Sequence, residues 1–151
     1  MIEGKFLKYD DGFSDILELR KKVFIDEFCY PIESLKDELD SESEHVIVFN
    51  EKHEVVASGR LSFIDKEFWI SMVAVLKEER EKYYGDFVVR MLVDKVFRSR
   101  VEQVWVKADD YSYLFFTKLG FHTIETVNKS QSAKFMIMKL SSDSLCKKCS
   151  N

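Results

Sequence analysis

The run Ser71-Met-Val-Ala-Val-Leu-Lys-Glu-Glu-Arg-Glu-Lys-Tyr-Tyr-Gly-Asp86 places an apolar strand, a polar link and a helix start in direct succession. The first N–H groups of a helix have no internal acceptor and point outward with the positive end of the dipole. A strand–loop–helix unit of this kind holds a phosphate or pyrophosphate on main-chain donors. Gly85 lets the chain bend and lets an anion approach without a Cβ in the way. Arg80 and Lys82 offer charge-assisted contacts. The residues alone leave a second reading open, an ordinary β–α connection whose charges are solvated, because one glycine is a weak signal.

The elements that position this unit follow from spacing. A strand is expected at Lys5–Tyr9, closed by the turn Asp10-Asp11-Gly12. Ser14 or Asp15 caps a helix reaching about Phe28, apolar at Leu17, Leu19, Val23, Phe24 and Phe28 and ended by Pro31. The acidic stretch 33–44 is read as a loop or short helix. Strands follow at His45–Asn50, Val55–Ile64 and Phe68–Val75, the last apolar enough for burial on both faces. Gly59 marks a bulge or close backbone packing. A helix over Asp86–Arg100 turns Val88, Val89, Leu92, Val93, Val96 and Phe97 to the core. Val104-Trp-Val106 is a buried strand, and Asp109 or Asp110 caps a helix that Gly120 stops. Strands at Phe121–Val127 and Phe135–Leu140 close the domain, linked by Asn128-Lys-Ser-Gln131. The order predicts a single α/β (α+β) domain over residues 1–140 with a mixed, largely antiparallel sheet, followed by a polar tail, 141–151.

Read together, these residues resemble a family. Val73-Ala74-Val75 followed by Arg80-Glu81-Lys82-Tyr83-Tyr84-Gly85 is similar to the acyl-CoA-binding motif of the GNAT N-acetyltransferases, Arg/Gln-x-x-Gly-x-Gly/Ala. Ala108-Asp109, then Phe115-Phe116-Thr-Lys-Leu-Gly120-Phe121, resembles the second signature of that superfamily. Leu19-Arg20, Val23-Phe24-Ile25, Glu27, Pro31, Asp37, Asp40, His45 and Gly59-Arg60-Leu61 resemble the ElaA-like branch. The resemblance covers residues 1–140 in order and spacing. It implies a GNAT fold in which two parallel strands, Phe68–Val75 and Val104–Lys107, splay apart. The pantetheine arm of acetyl-CoA would lie in the gap like an extra strand, against Val73, Ala74 and Val75. The Val73 N–H would stabilise the thioester oxyanion, and the main chain of Arg80 through Asp86 would hold the pyrophosphate. Asp109 and Phe116 would border the same site. An amine of a small molecule or peptide would attack the acyl carbon directly.

Departures from the motif shape this expectation. Tyr83 replaces the first motif glycine, which makes positive φ harder and places a ring near the phosphates. Asp86 suits the helix dipole but repels a pyrophosphate. Phe116 stands where the family's tyrosine often protonates the leaving thiolate, and phenylalanine has no proton to give. Tyr111 or Tyr113 would then substitute, or solvent. An acyl-CoA sensor or interaction domain with weak catalysis is the alternative to an N-acetyltransferase.

On the acceptor side the resemblance puts Glu27 and the acidic residues Glu33, Asp37, Glu38, Asp40, Glu42 and Glu44. Clustered carboxylates attract a cationic amine and help remove its proton; a solvated charged loop fits the same residues. Glu67 and Ser71 are weaker candidates for a base or a water-holding role. His45 suits a structural place better than a base, His53 and His122 read as turn and strand-edge residues, and Cys29 as a small buried hydrophobe.

Composition bounds the rest. The chain has 151 residues, 46% of them hydrophobic, a single proline and a formal charge of −4. That suits one folded domain and excludes a disordered or Pro-rich linker. Apolar runs fall short of the ~20 residues a membrane span needs, and the N-terminus has no signal-like apolar core. A cytoplasmic protein without membrane attachment is expected. No basic stripe with interleaved aromatics marks a nucleic-acid surface. Cys146 and Cys149 form one C-x-x-C pair, short of the four ligands a structural zinc needs, so no metal is expected. The terminal strands offer an edge for homodimer pairing.

Overall fold

The computed structural model describes residues 2–130 and 134–143. Cys146 and Cys149, with the rest of the expected tail, lie outside the described residues. The elements in order are strand β1 (Glu3–Leu7), helix α1 (Phe13–Arg20) and a π-helical continuation over Lys21–Glu27. Short 3-10 turns at Ile32–Leu35 and Asp40–Glu42 lead into β2 (Glu44–Phe49), β3 (Val55–Ile64) and β4 (Glu67–Val75). After a 3-10 turn at Lys77–Glu79 come α2 (Tyr84–Arg98), β5 (Gln103–Ala108), α3 (Tyr113–Lys118), β6 (His122–Asn128) and β7 (Lys134–Ser141).

All seven strands form one sheet in the order β1-β2-β3-β4-β5-β7-β6. Every neighbouring pair is antiparallel except β4 with β5, which is parallel. The expected α/β architecture is therefore present. One face carries α2, whose Val88, Val89, Leu92 and Val96 pack on Val46, Leu61, Ile70, Val104 and Met138; α3 adds Phe116 to the same core. The opposite face of β1 to β4 is covered by α1 through Phe13, Ile16 and Leu19 and by the π-helical continuation through Val23. No helix among the described residues is long and apolar enough to cross a membrane.

Several boundaries depart from the sequence expectation for local reasons. The first helix starts at Phe13, one residue beyond Gly12 in left-handed geometry (φ 112°), without a side-chain cap from Ser14 or Asp15. It widens to π at Lys21 and closes before Pro31: Cys29 takes φ 58°, and the Tyr30 N–H reaches back to the Phe24 carbonyl at 2.8 Å. Cys29 is exposed rather than buried, because this closure turns it outward. In the last helix, Asp109 caps a turn that precedes it, its Oδ1 accepting from the N–H groups of Tyr111 (3.0 Å) and Ser112 (2.9 Å). Gly120 stops that helix at φ 103°, and Phe121 packs back on Phe116 with ring centroids 5.4 Å apart. Strand β4 is not buried on both faces: only Ile70 and Ala74 are fully enclosed, because much of its C-terminal half faces an open space.

Gly59 is the close-packing point. A Cβ there would lie 2.5 Å from Val88 Cγ1 and 3.2 Å from Leu92 Cδ1, so its absence lets α2 settle on the sheet. Gly59→Ala should lower unfolding free energy by about 1–3 kcal/mol through overpacking. Urea titration checks this, the midpoint falling with the slope unchanged.

Candidate functional site

The parallel strands β4 and β5 pair at only two positions, Trp69 with Trp105 and Ile70 with Val106. Beyond them the strands part. The closed end is fastened by Glu67, whose carboxylate accepts from Gln103 Nε2 (3.0 and 3.1 Å) and Trp105 Nε1 (2.9 Å). Trp69 and Trp105 stack over it with centroids 5.7 Å apart. Glu67 is thus a tie between strands, away from the open end and outside the cavity.

The parting is prepared on the other edge of β4. Between Arg60↔Ser71 and Ser58↔Ala74, one residue of β3 faces two of β4, Met72 and Val73. This is a β-bulge, with Met72 at φ 54°. A cavity of ≈ 1030 Å³ occupies the opening, bounded by Ser71–Val75, Val106, Lys107 and the start of α2. Strand β4 from Ser71 onward has no strand partner on this side. The expected slot between splayed strands is present.

At its mouth the chain enters α2. Positive φ is carried by Glu81 (66°) and Tyr83 (67°), so Tyr83 adopts the left-handed geometry expected of a glycine, at a cost of about 1–2 kcal/mol. Its ring is 77% exposed and leans to solvent. Gly85 is not the bend: it lies in the first turn of α2, where a Cβ would approach the Phe115 ring to 3.2 Å and Val75 Cγ2 to 3.5 Å. Its missing side chain keeps the cavity mouth clear. Tyr84, Gly85 and Asp86 border the cavity, and no side chain caps the helix.

The charged side chains fall differently from expectation. Arg80 donates from both terminal nitrogens to Glu27 at 2.5 Å and from Nη2 to the Val75 carbonyl at 3.1 Å. Its guanidinium lies 5.3 Å from the Phe28 ring centroid. Arg80 therefore ties the end of the π segment to the loop before α2. Glu27 serves that tie and does not border the cavity, and Lys82 points away to pair with Glu79 at 2.9 Å. Arg80 and Lys82 are thus both engaged with carboxylates, while Lys36, Lys107 and Lys118 also border the cavity.

The acidic stretch divides: Glu33, Glu38 and Glu42 are exposed, whereas Asp37, Asp40 and Glu44 are paired with basic side chains. Asp40, 1% exposed, pairs with Arg20 (3.0 and 3.1 Å) and Arg60 (3.0 Å). Arg60 also reaches Asp37 (2.6 Å) and Ser71 Oγ (2.9 Å). His45, fully buried, donates from Nε2 to the Asp40 carbonyl at 2.9 Å, and Glu44 pairs with Lys95 at 2.9 Å. Burial opposes the charge on Asp40, but the Arg20 and Asp37 hydrogen bonds and both arginine charges outweigh it and hold its carboxyl below the ordinary range. Burial, reinforced by the charges of Arg20 and Arg60, pushes His45 down and keeps it neutral. Of the residues resembling the ElaA-like branch, Arg20, Asp37, Asp40, His45 and Arg60 thus converge on one ion-pair cluster that pins segment 32–42 over the sheet.

Tyr111 borders the cavity at 85% exposure, whereas Tyr113 packs against the core and Phe116 is buried at 4%. The sequence reading missed Phe24, Phe28 and Tyr30 as site residues, and all three border the cavity. Their rings stack in a column, Tyr30 lying 6.2 Å from Phe24 and 5.7 Å from Phe28, with Tyr111 6.4 Å beyond Phe28. Burial, then Asp109 and Tyr111, raise the Tyr30 phenol above its usual value, so it stays protonated. The signal available was the closing of the helix ahead of Pro31, which turns these rings off the core. Among the described residues no cluster of His, Cys, Asp or Glu could hold a metal.

A sheet splayed at one parallel pair, bulged beside the gap and capped by a helix N-terminus, defines an acyltransferase-like cleft. The sequence matches the acetyltransferase (GNAT) domain family over residues 10–142, and the chain belongs to that family. It is 26% identical over 117 residues to YjcF of Bacillus subtilis (strain 168), an uncharacterised N-acetyltransferase, covering 78% of this chain and 83% of that protein. Among solved structures it is similar to an acyl-CoA N-acyltransferase from Pseudomonas aeruginosa (TM-score 0.79, 17% identity, 93% and 100% of the two chains). It is also similar to Escherichia coli ElaA (TM-score 0.77, 21% identity, 92% and 99%).

The buried cluster makes stability depend on pH. His45 titrates below 6.5 in the folded chain, so the unfolded chain binds the extra proton as pH falls through 6.5. Stability should be full above that value and decline below it, with a further loss at stronger acid as Asp40 protonates. Thermal unfolding from pH 8 to pH 5 checks this. His45→Gln keeps a donor but cannot titrate, and should flatten the decline near pH 6.

Proposed function

We propose that the protein is an acetyl-CoA-dependent N-acyltransferase that moves an acyl group to a primary amine by direct transfer. The observation that carries this is the unpaired stretch Ser71–Val75 of β4, bordering a cavity whose mouth is the uncapped start of α2. An extended pantetheine arm satisfies such an edge as an added strand would. Pyrophosphate is held by the N–H groups at the start of α2, with Arg80 engaged by Glu27.

The Val73 N–H accepts the role of oxyanion donor. The neutral amine attacks the thioester carbon, a C–N bond forms as the carbonyl oxygen takes negative charge, and the C–S bond then breaks. The amine nitrogen loses a proton to water, and the thiolate gains one. Phe116 supplies none. Tyr30, Tyr83, Tyr84 and Tyr111 are the tyrosines that border the cavity, and the open mouth admits solvent. The replacement of the usual tyrosine by buried Phe116 also supports a second reading, a domain that binds acyl-CoA with little turnover.

Calorimetry with acetyl-CoA should show binding at micromolar ligand, and thiol release over a panel of amines should show turnover. Gly85→Trp, which fills the mouth against Phe115 and Val75, should abolish both, with circular dichroism confirming that the variant is folded. Binding without thiol release for any amine selects the sensor reading. Absence of binding at high micromolar acetyl-CoA removes both.

A further inference from the structure

Three serines border the cavity, and they differ in where their protons go. Ser34 Oγ donates to the Pro31 carbonyl at 2.6 Å, and Ser112 Oγ to Asp109 Oδ1 at 2.9 Å. Ser71 has the opposite polarity. Its Oγ receives the Nε–H of Arg60 at 2.9 Å, and a guanidinium has only donors, so Ser71 accepts and keeps its own hydrogen. Arg60 cannot swing away: it is 4% exposed, and its Nη1 is held by Asp37 at 2.6 Å and by Asp40 at 3.0 Å. Among the described residues no acceptor is paired with the Ser71 hydrogen. One lone pair faces Arg60, and the other lone pair and the O–H are open to the cavity. The place of Ser71 is equally specific. Ile70 with Val106 is the last pair of β4 with β5, and Ser71 is the next residue, where the strands part. Val73 lies two residues on, about 7 Å of extended chain. Other proton-bearing groups of the cavity stand elsewhere. Tyr83 and Tyr84 are at the entry to α2, Tyr111 is on the turn before α3, and Tyr30 lies beyond the π segment. Lys107, across the gap, holds its ammonium 4.8 Å from the Phe135 ring centroid.

On the reading of this cleft as an N-acyltransferase site, we propose that Ser71 is a catalytic residue that relays a proton from the attacking amine to the leaving sulfur, its hydroxyl oriented by Arg60. As the C–N bond forms, the nitrogen gains positive charge and passes a proton to the open lone pair of Ser71 Oγ. The C–S bond breaks, its electron pair goes to sulfur, and the original Ser71 proton follows. The hydroxyl is regenerated, and the products are a neutral amide and a neutral thiol. The two transfers are concerted, so neither an alkoxide nor an oxonium stands alone at Oγ. This answers the loss of the usual tyrosine at Phe116, which has no proton to give. It also assigns a task to the bond between Arg60 and the diverging strand.

The test is thiol release by the full chain with acetyl-CoA and spermine, 2-phenylethylamine or an alanine-terminated tripeptide, using the amine that the native chain acetylates fastest. Ser71→Ala should lower kcat about a hundred-fold. Calorimetry should show its acetyl-CoA Kd within about two-fold of native, since the loss lies in the transition state. Ser71→Asn still offers an oxygen to Arg60 but cannot pass a proton on, and should fall as far as Ser71→Ala. Ser71→Thr keeps the hydroxyl and should recover kcat to within about ten-fold of native. Circular dichroism confirms that each variant is folded. The relay is overturned if Ser71→Ala or Ser71→Asn keeps native kcat, or if folded Ser71→Thr falls as far as Ser71→Ala. It is overturned equally if the variants lose acetyl-CoA affinity rather than kcat. In these cases the native chain still turns over, so the relay fails alone. If the native chain binds no acetyl-CoA, or releases no thiol with any of the amines, the N-acyltransferase reading fails and takes the relay with it.

Discussion

An unpaired strand edge in the middle of a sheet is the constraint around which this molecule is built. Main-chain N–H and C=O groups need partners, and a sheet normally supplies them from the adjacent strand. Here β4 has β3 along its whole length but β5 at only two positions. Left alone, such an edge would zip closed or pair with another chain. The structure holds it open from both ends. Glu67 and the stacked Trp69 and Trp105 fasten the strands where they meet. Further along, the bulge at Met72 sets β4 on its new course, while the Phe115 ring stands beside Gly85 at the mouth.

Electrostatics serves the same end. Arg20 and Arg60 sit almost fully buried, which is tolerable only because Asp40 and Asp37 answer their charges with direct hydrogen bonds. Removing either partner would strand a charge in the interior. The cluster links the end of α1, strand β3 and segment 32–42, so that segment is fixed to the sheet beside the cleft. Ser71, on β4 itself, is joined to the cluster through Arg60. The Arg80–Glu27 tie does the equivalent at the mouth, joining the π segment to the loop before α2. The two walls of the cavity are thereby held at a fixed separation.

Much of the fold was legible in the sequence because its signals are local. The strand β3 has the expected bounds, Gly120 stops α3, and the apolar stripe of α2 faces the core. What was not legible depends on distant partners. Asp37, Asp40 and Glu27 read as an acidic patch until the fold brings Arg20, Arg60 and Arg80 to them across 20 or more residues of chain. Gly85 read as a hinge because glycine permits positive φ, yet the strain falls on Glu81 and Tyr83, while Gly85 serves clearance. Phe24, Phe28 and Tyr30 read as one helix face, since a period of 3.6 residues does not reveal that the helix widens and closes at Cys29. The family resemblance located the cleft, but the ion pairs beside it came only from three-dimensional pairing.

The most direct measurement is amide hydrogen exchange of the full chain, residue by residue, with and without acetyl-CoA. The account predicts fast exchange at Val73, Tyr84, Gly85 and Asp86 in the free protein and strong protection of these amides on binding, while Ile70 and Val106 remain protected in both states. Protection of Val73 through Val75 by β5 in the free protein, or a bound state that leaves these amides exchanging freely, would contradict it.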